Sequence, residues 1–331
     1  MSTDTTRPVG VIIPAHDAAQ SIGIAVRSAL DQAAVGEVIV VDDASHDDTP
    51  AQALAAAKGD PRLVLLQLNR NVGPARARNL AIARGTTPLI ALLDADDYFL
   101  PDRFAPLLKE ANWDIVADNI VFVPESRASI LLSSEVDKPT SPATTSVGIA
   151  EFLRGNIPDK NAQRGELGFL KPLMSRDFLR SHGLAYDPDL RLGEDFKLYV
   201  QMLAKGARFR LMPQIGYVAR VRQNSLSGRH SARDLLCLLN ASESLRASCQ
   251  NTEAEAQAMK DYLRALRSRQ LLHAFLETKW EQGLVQAARQ AVMPPRNLFP
   301  IVRGILRDKM EAVSGKPAAL MPDKRYLLPI E

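Results

Sequence analysis

Only two cysteines occur in 331 residues, Cys237 and Cys249. They lack the second pair of a zinc motif and make no disulfide framework, so a reducing, cytoplasmic compartment is expected. No apolar run approaches the ~18 residues of a membrane span, and the polar opening, Met1 to Pro8, has no apolar core of a secretory leader. Charge of one sign is not in excess. The 41 Lys and Arg against 38 Asp and Glu leave a formal net charge of +3, so bulk electrostatics gives no ground for nucleic acid as a partner. The first strand-end loop has no Gly-x-Gly-x-x-Gly, and no Gly-Lys-Ser/Thr phosphate loop occurs anywhere. A dinucleotide cradle and a P-loop are thereby excluded.

What is present is 46% hydrophobic content, enough for a globular core. Four short apolar runs, Val9–Ile13, Val38–Val41, Leu63–Leu66 and Leu89–Leu93, alternate with Ala-rich segments of helical period. Ser21, Asp48-Thr49-Pro50 and Pro74 mark helix starts, and Gly85 a helix end. A βαβαβαβ series of this kind predicts a doubly wound, mostly parallel sheet. Further strands are expected at 113–116, 120–123, 208–211 and 216–219, with a surface excursion over 124–147 and helices from about Ser231 onward. Two helical stripes near the end, Met259 to Leu276 and Phe299 to Leu306, interleave apolar residues with arginines. They imply packing against the domain or a partner subunit, or contact with an anionic membrane surface.

In open α/β sheets, ligands bind at the carboxyl ends of the strands. The residues falling there are Pro14-Ala15-His16-Asp17, Asp42-Asp43, Asn71 to Asn79, and Asp94-Ala95-Asp96-Asp97. Two readings stand for the last run by itself: a hard divalent cation held by carboxylate oxygens, or a solvated acidic turn. Residues 1–60 carry 9 acidic and 3 basic residues, whereas 200–235 carry 7 basic and 1 acidic. An acidic crevice facing a cationic strip suits a pyrophosphate ligand. After the second strand, Asp43 is the residue to bind a base or ribose and Asp42 the one to hold the turn.

Taken in order, Val-Ile-Ile-Pro-Ala-His-Asp at 11–17, Val-Asp-Asp-Ala-Ser-His-Asp-Asp-Thr at 41–49, Asn-Val-Gly-Pro-Ala-Arg-Ala-Arg-Asn at 71–79 and Asp-Ala-Asp-Asp at 94–97 resemble the signature segments of the family 2 glycosyltransferases. These are inverting nucleotide-sugar enzymes of the GT-A fold, and the resemblance is strongest to bacterial exopolysaccharide glucosyltransferases of the succinoglycan type. It implies a GT-A catalytic domain over 1–230, with a nucleotide-sugar half at 8–123 and an acceptor half at 124–230, followed by a helical region at 231–331.

By the same resemblance, Pro14, Ala15, His16, Asp43, Arg78, Asn79, Asp94 and Asp97 line the donor, with Arg222 and Arg229 on its diphosphate. Asp96 holds Mn²⁺ or Mg²⁺, with His230 as a further ligand, and Gly193-Glu194-Asp195 resembles the acidic base motif. Asp195 is expected to be the general base, with Glu194 binding acceptor or serving as base itself. The family commonly has Tyr-Asn where this chain has His16-Asp17, which leaves the base contact there open. The implied partners are a UDP-hexose donor and a glycan or lipid-linked glycan acceptor. A site at the inner face of the cytoplasmic membrane and a homo-oligomer are compatible with the helical stripes. The alternatives are a sugar nucleotidyltransferase, which would be expected to carry a Gly-rich basic first loop, and a noncatalytic nucleotide-sugar sensor or scaffold.

Overall fold

The computed structural model describes residues 8–127, 130–139, 143–157, 166–221, 231–249, 251–292, 299–304, 306 and 323–330. Strands β1 (Val9–Ala15), β2 (Val35–Asp42), β3 (Leu63–Gln67) and β4 (Leu89–Leu92) are joined by helices α1 (Ile22–Leu30), α2 (Thr49–Ala57) and α3 (Pro74–Arg84). They lie parallel in the order β3-β2-β1-β4. The β-branched run of β1 is almost wholly buried, as a central parallel strand covered on both faces requires. Pro50 and Pro74 stand in the first turns of α2 and α3, where a missing N–H costs no helical bond. The Ser21 hydroxyl donates to Ala18 O and makes no cap bond to α1.

The chain then forms β5 (Tyr98–Phe99), α4 (Phe104–Lys109), β6 (Ile115–Pro124), β7 (Thr145–Val147), α5 (Ile149–Arg154), β8 (Leu173–Ser175), α6 (Arg176–Ser181), α7 (Glu194–Ala204) and β9 (Phe209–Val221). The sheet continues β4-β8-β6-β9-β5. It is mixed: β8 runs antiparallel between β4 and β6, whereas β6 and β9 are parallel. The two strands expected near 113–123 are the single β6, and those near 208–219 are the single β9. Irregular register between Ala117 and Ile120 is what broke the pattern into two. The excursion after Pro124 is more ordered than expected, because Leu131 is buried and β7 pairs with β9.

Helices α8 (Ala232–Ser244), α9 (Glu253–Gln282) and α10 (Leu284–Val292) follow. They do not stand apart, since Leu235, Leu238, Met259, Tyr262, Leu263 and Leu266 join the main core. Tyr262 stacks on Phe196 of α7 with ring centroids 4.6 Å apart. The C-terminal region is also not helical throughout. Strand β10 (Arg325–Tyr326) pairs antiparallel with Val121 and Phe122 of β6. The reason is geometric: β8 reaches only Ile115 and Val116 of β6, and β10 takes up backbone groups further along the same strand.

Beneath the sheet's carboxyl ends lies a buried ion pair, Arg103 with Asp118, joined by two guanidinium nitrogens at 2.6 and 2.9 Å. Arg103 also donates to Lys171 O and faces the rings of Phe99, Phe104 and Tyr217. A Cβ on Gly216 would lie 2.3 Å from Asp118 Oδ2, so the pair requires glycine on β9 at this point.

Candidate active site

The loops after β1 and β2 are stitched together edge to edge. Asp43 N donates to Ala15 O at 2.7 Å, and His16 Nδ1 donates to Asp43 O at 2.9 Å. Pro14 and Ala15 close β1, and His16 is partly exposed beside them. Asp43 is buried, and its two carboxylate oxygens accept from Val72 N and Gly73 N at 2.7 and 2.8 Å. It therefore holds the loop that launches α3. Asp42 accepts from Ser45 N and braces its own turn, as expected.

From the middle of α3, Arg78 reaches inward and is buried. Its guanidinium meets Glu194 Oε1 at 2.6 Å, Asp94 Oδ1 at 3.0 Å and Asp195 Oδ1 at 3.7 Å. A second cation completes the network: Lys171 Nζ lies 2.9 Å from Asp195 Oδ2 and 3.0 Å from Asp94 Oδ2. Two cations thus bind three carboxylates drawn from the end of β4 and the first turn of α7. Burial works to raise the Asp94 carboxyl, but the ion pairs with Lys171 and Arg78 outweigh it and hold the group down at about 2. Burial likewise opposes the charge on Arg78, and Asp195, Glu194 and Asp94 more than offset it, so its ionisation is pushed well above the usual range.

Asp195 is nine-tenths buried, with the Tyr186 hydroxyl against its carboxylate and its Oδ1 3.7 Å from Arg78. Burial followed by the Asp195 charge pushes that phenol well up. Gly193, at φ +75°, begins α7, and a Cβ there would press within 2.6 Å of Leu238, so α8 packs closely against the start of the helix that carries both carboxylates.

Asp97 differs in kind from Asp94. It is buried, accepts from Tyr217 OH at 2.7 Å and from Arg220 N at 2.8 Å, and so ties the acidic loop to β9. Burial first, then repulsion from Asp96 and Asp94, raises its carboxyl well above the carboxylate range. Asp96 stands half-buried between these two. Asp94, Asp96 and Asp97 together give this loop the carboxylate oxygens that could hold a hard divalent ion. The donor set of this loop is oxygen only, which fits Mg²⁺ or Mn²⁺.

Asn79 serves the site from behind. Its amide donates to Tyr186 O at 2.8 Å and its carbonyl accepts from Tyr186 N at 2.9 Å, a side chain pairing with backbone as a strand would. Asn79→Ala removes both bonds and is expected to cost about 1–3 kcal/mol. Urea denaturation reads this as a lowered midpoint at constant slope; a midpoint equal to wild type would show the clasp contributes nothing.

Arg78, Asp94, Glu194 and Asp195 are thus brought together, while Pro14, Ala15, His16 and Asp43 form a neighbouring group on the next two strand ends. Arg222, Arg229 and His230 lie outside the described residues. Lys171, Tyr186 and Tyr217 were missed as site residues. Lys171 did carry a signal, since a lone cation between Leu170 and Leu173 in a buried run demands partners.

The model of the family "Glycosyl transferase family 2" matches residues 10–164. The succinoglycan biosynthesis protein ExoU of Rhizobium meliloti (strain 1021) is 43% identical over 99% of this chain and 97% of its own length. ExoO of the same organism is 36% identical over 68% of this chain and 64% of its own length. Among solved structures, S. aureus TarS 1-349 in complex with UDP superposes with a TM-score of 0.56 at 19% identity, covering 82% of this chain and 73% of that one. Mannosyltransferase PcManGT from Pyrobaculum calidifontis, in complex with GDP-Man and Mn²⁺, does so at 0.53 and 18%, covering 94% and 88%. The structural neighbours share the mixed sheet and its flanking helices, which is the GT-A fold. Given a relative this similar along almost the whole of both chains, the protein belongs to glycosyl transferase family 2 and is a glycosyltransferase.

Proposed function

We propose that this enzyme moves a hexose, glucose in the first instance, from a UDP donor to a hydroxyl of a lipid-linked glycan during exopolysaccharide assembly. The observation that carries the reading is the convergence of Asp94, Glu194 and Asp195 on Arg78 and Lys171, beside the Asp96 loop at the sheet's carboxyl ends. The similarity to ExoU supports the pathway, and the UDP named with TarS supports the nucleotide.

In this reading the acceptor oxygen attacks the anomeric carbon, the bond from that carbon to the diphosphate oxygen breaks with its electron pair, and the configuration inverts. Asp195, whose Oδ2 is held by Lys171, receives the acceptor's proton on its other oxygen. Asp94 orients the nucleotide and Glu194 fixes Arg78. A divalent ion on Asp96 supplies charge stabilisation to the leaving diphosphate when bound. Arg222 and Arg229 are the candidates to contact the diphosphate, and His230 is a further candidate ligand; all three lie outside the described residues. Pro14, Ala15 and His16 lie along the base, with Asp43 shaping that pocket through the loop it holds.

The test is calorimetric titration of UDP with and without Mn²⁺, followed by UDP release from UDP-glucose with glycan acceptors. Wild type is expected to bind more tightly with Mn²⁺, and Asp96→Ala to lose that gain by tenfold or more. UDP affinity indifferent to Mn²⁺ would overturn the metal role, and tight binding without any turnover would favour a sensor.

The same reading places the protein at a membrane surface. Among the described residues no helix is long and apolar enough to cross a membrane. Yet Trp280 is 92% exposed, with Leu276, Leu284 and Val285 exposed near it at the α9–α10 junction and Lys279 adjoining. A bare aromatic among exposed aliphatic side chains suits a membrane interface. Flotation with anionic vesicles is expected to carry wild type upward and to leave Trp280→Ala/Val285→Ser largely in the lower fraction. Equal flotation of both would remove this face from membrane contact.

A further inference from the structure

The loops after β1 and β2 also gather a second cluster, of which only His16 figures in the donor reading. His16, Asp17 and His46 each offer one ligand atom, and the three atoms lie within 4.8 Å of one another. His16 Nε2 is 3.5 Å and His46 Nδ1 3.7 Å from the same oxygen, Asp17 Oδ2. Bonds of ~2 Å to a tetrahedral ion set ligand atoms about 3.3 Å apart, close to both of these edges.

The arrangement is prepared rather than loose. Because Asp43 O can only accept, His16 Nδ1 must be the protonated nitrogen, and in the neutral ring Nε2 then presents a lone pair toward the Asp17 carboxylate. Either a proton on Nε2 or a metal ion joins the ring to that carboxylate, and the nearby His46 Nδ1 gives the metal a third ligand. A backbone carbonyl on the far ring nitrogen is also the usual way a metal-binding histidine is oriented. Asp17 adopts φ +48°, and its other oxygen accepts from His46 N at 2.7 Å. Asp17 N donates to Ser45 Oγ, Ala18 N to Thr49 Oγ1 and Ala19 N to Asp47 Oδ2. The two loops are thus fixed relative to each other before any ligand arrives.

We propose that His16, Asp17 and His46 form a binding site for a nitrogen-preferring first-row divalent cation, Zn²⁺ foremost, with a fourth position open to solvent. Two imidazoles and one carboxylate select Zn²⁺, Co²⁺ or Ni²⁺ over Mg²⁺ and Mn²⁺, which separates this site chemically from the all-oxygen Asp96 loop. It stands whether or not the donor reading holds.

The test uses the full-length protein in excess Mg²⁺, with Zn²⁺ by equilibrium dialysis and Co²⁺ by its visible absorption. One equivalent of each is expected, with the intense bands of a four-coordinate Co²⁺ site. His46→Ala and Asp17→Asn should each weaken binding tenfold or more, and Asp96→Ala should leave it unchanged. The His46 side chain is 87% exposed, so its removal does not threaten folding. Absence of Zn²⁺ binding at micromolar concentration, wild-type affinity in His46→Ala, or loss in Asp96→Ala would each overturn the proposal.

Discussion

Asp195→Asn is expected to lower turnover about 10²–10⁴-fold, the contribution of a positioned general base, while UDP affinity stays at the wild-type value. The carboxylate is held by Lys171 on Oδ2, and its Oδ1 lies 3.7 Å from Arg78. An ionised carboxylate is a weak base toward a resting alcohol. It takes the proton as the new carbon–oxygen bond forms and the hydroxyl turns acidic, so its effect belongs to the transition state and falls on kcat. The amide of Asn keeps the shape and can still accept from Lys171, and circular dichroism should show an unchanged fold. Glu194→Gln is the control, because Glu194 already accepts from Arg78 at 2.6 Å. Near-wild-type turnover in Asp195→Asn would remove it as base, and a collapse confined to Glu194→Gln would move that role one residue back.

The first half of the fold was legible because its elements are local: β1 to β4 are short apolar runs, each followed within a few residues by turn-forming Pro, Asp or Asn. The second half was less so. Strand β8 has only three residues, and its place between β4 and β6 depends on partners more than fifty residues away in sequence. Strand β10 is shorter still, and its pairing follows from the length of β6 rather than from any pattern around Tyr326.

For the site, the acidic segments could be read off because three carboxylates in four residues are conspicuous. Their partners could not. Arg78 lies buried among Asp94, Glu194 and Asp195, and only the fold shows which carboxylates share its pocket. Asp97 anchors its loop to Tyr217 and Arg220 of β9, and burial first, then repulsion from Asp96 and Asp94, raises its carboxyl, a setting that only the fold shows.

Lys171→Met is expected to cost about 3–5 kcal/mol of stability, as removal of one partner from a buried ionic cluster does. Lys171 is nine-tenths buried and bridges Asp94 and Asp195, so its loss leaves Asp195 with only Arg78 at 3.7 Å. Methionine fills most of the volume, and the penalty therefore reports charge rather than a cavity. The pH dependence has a definite sign. Asp94 sits at about 2 in the folded protein, below the ~3.9 of an unfolded aspartate. Its contribution is complete above about pH 4 and disappears as the pH falls toward 2. Without Lys171 the depression weakens, so the mutant should have a smaller contribution to lose and should finish losing it at a higher pH than wild type. Adding Asp195→Asn to Lys171→Met removes the stranded carboxylate and should restore part of the loss, a coupling that two independent sites would not show. Urea midpoints measured between pH 3 and pH 7 for the two single variants and the double variant test this. A Lys171→Met midpoint within about 1 kcal/mol of wild type, or strict additivity, would mean that the carboxylates are neutralised by Arg78 alone.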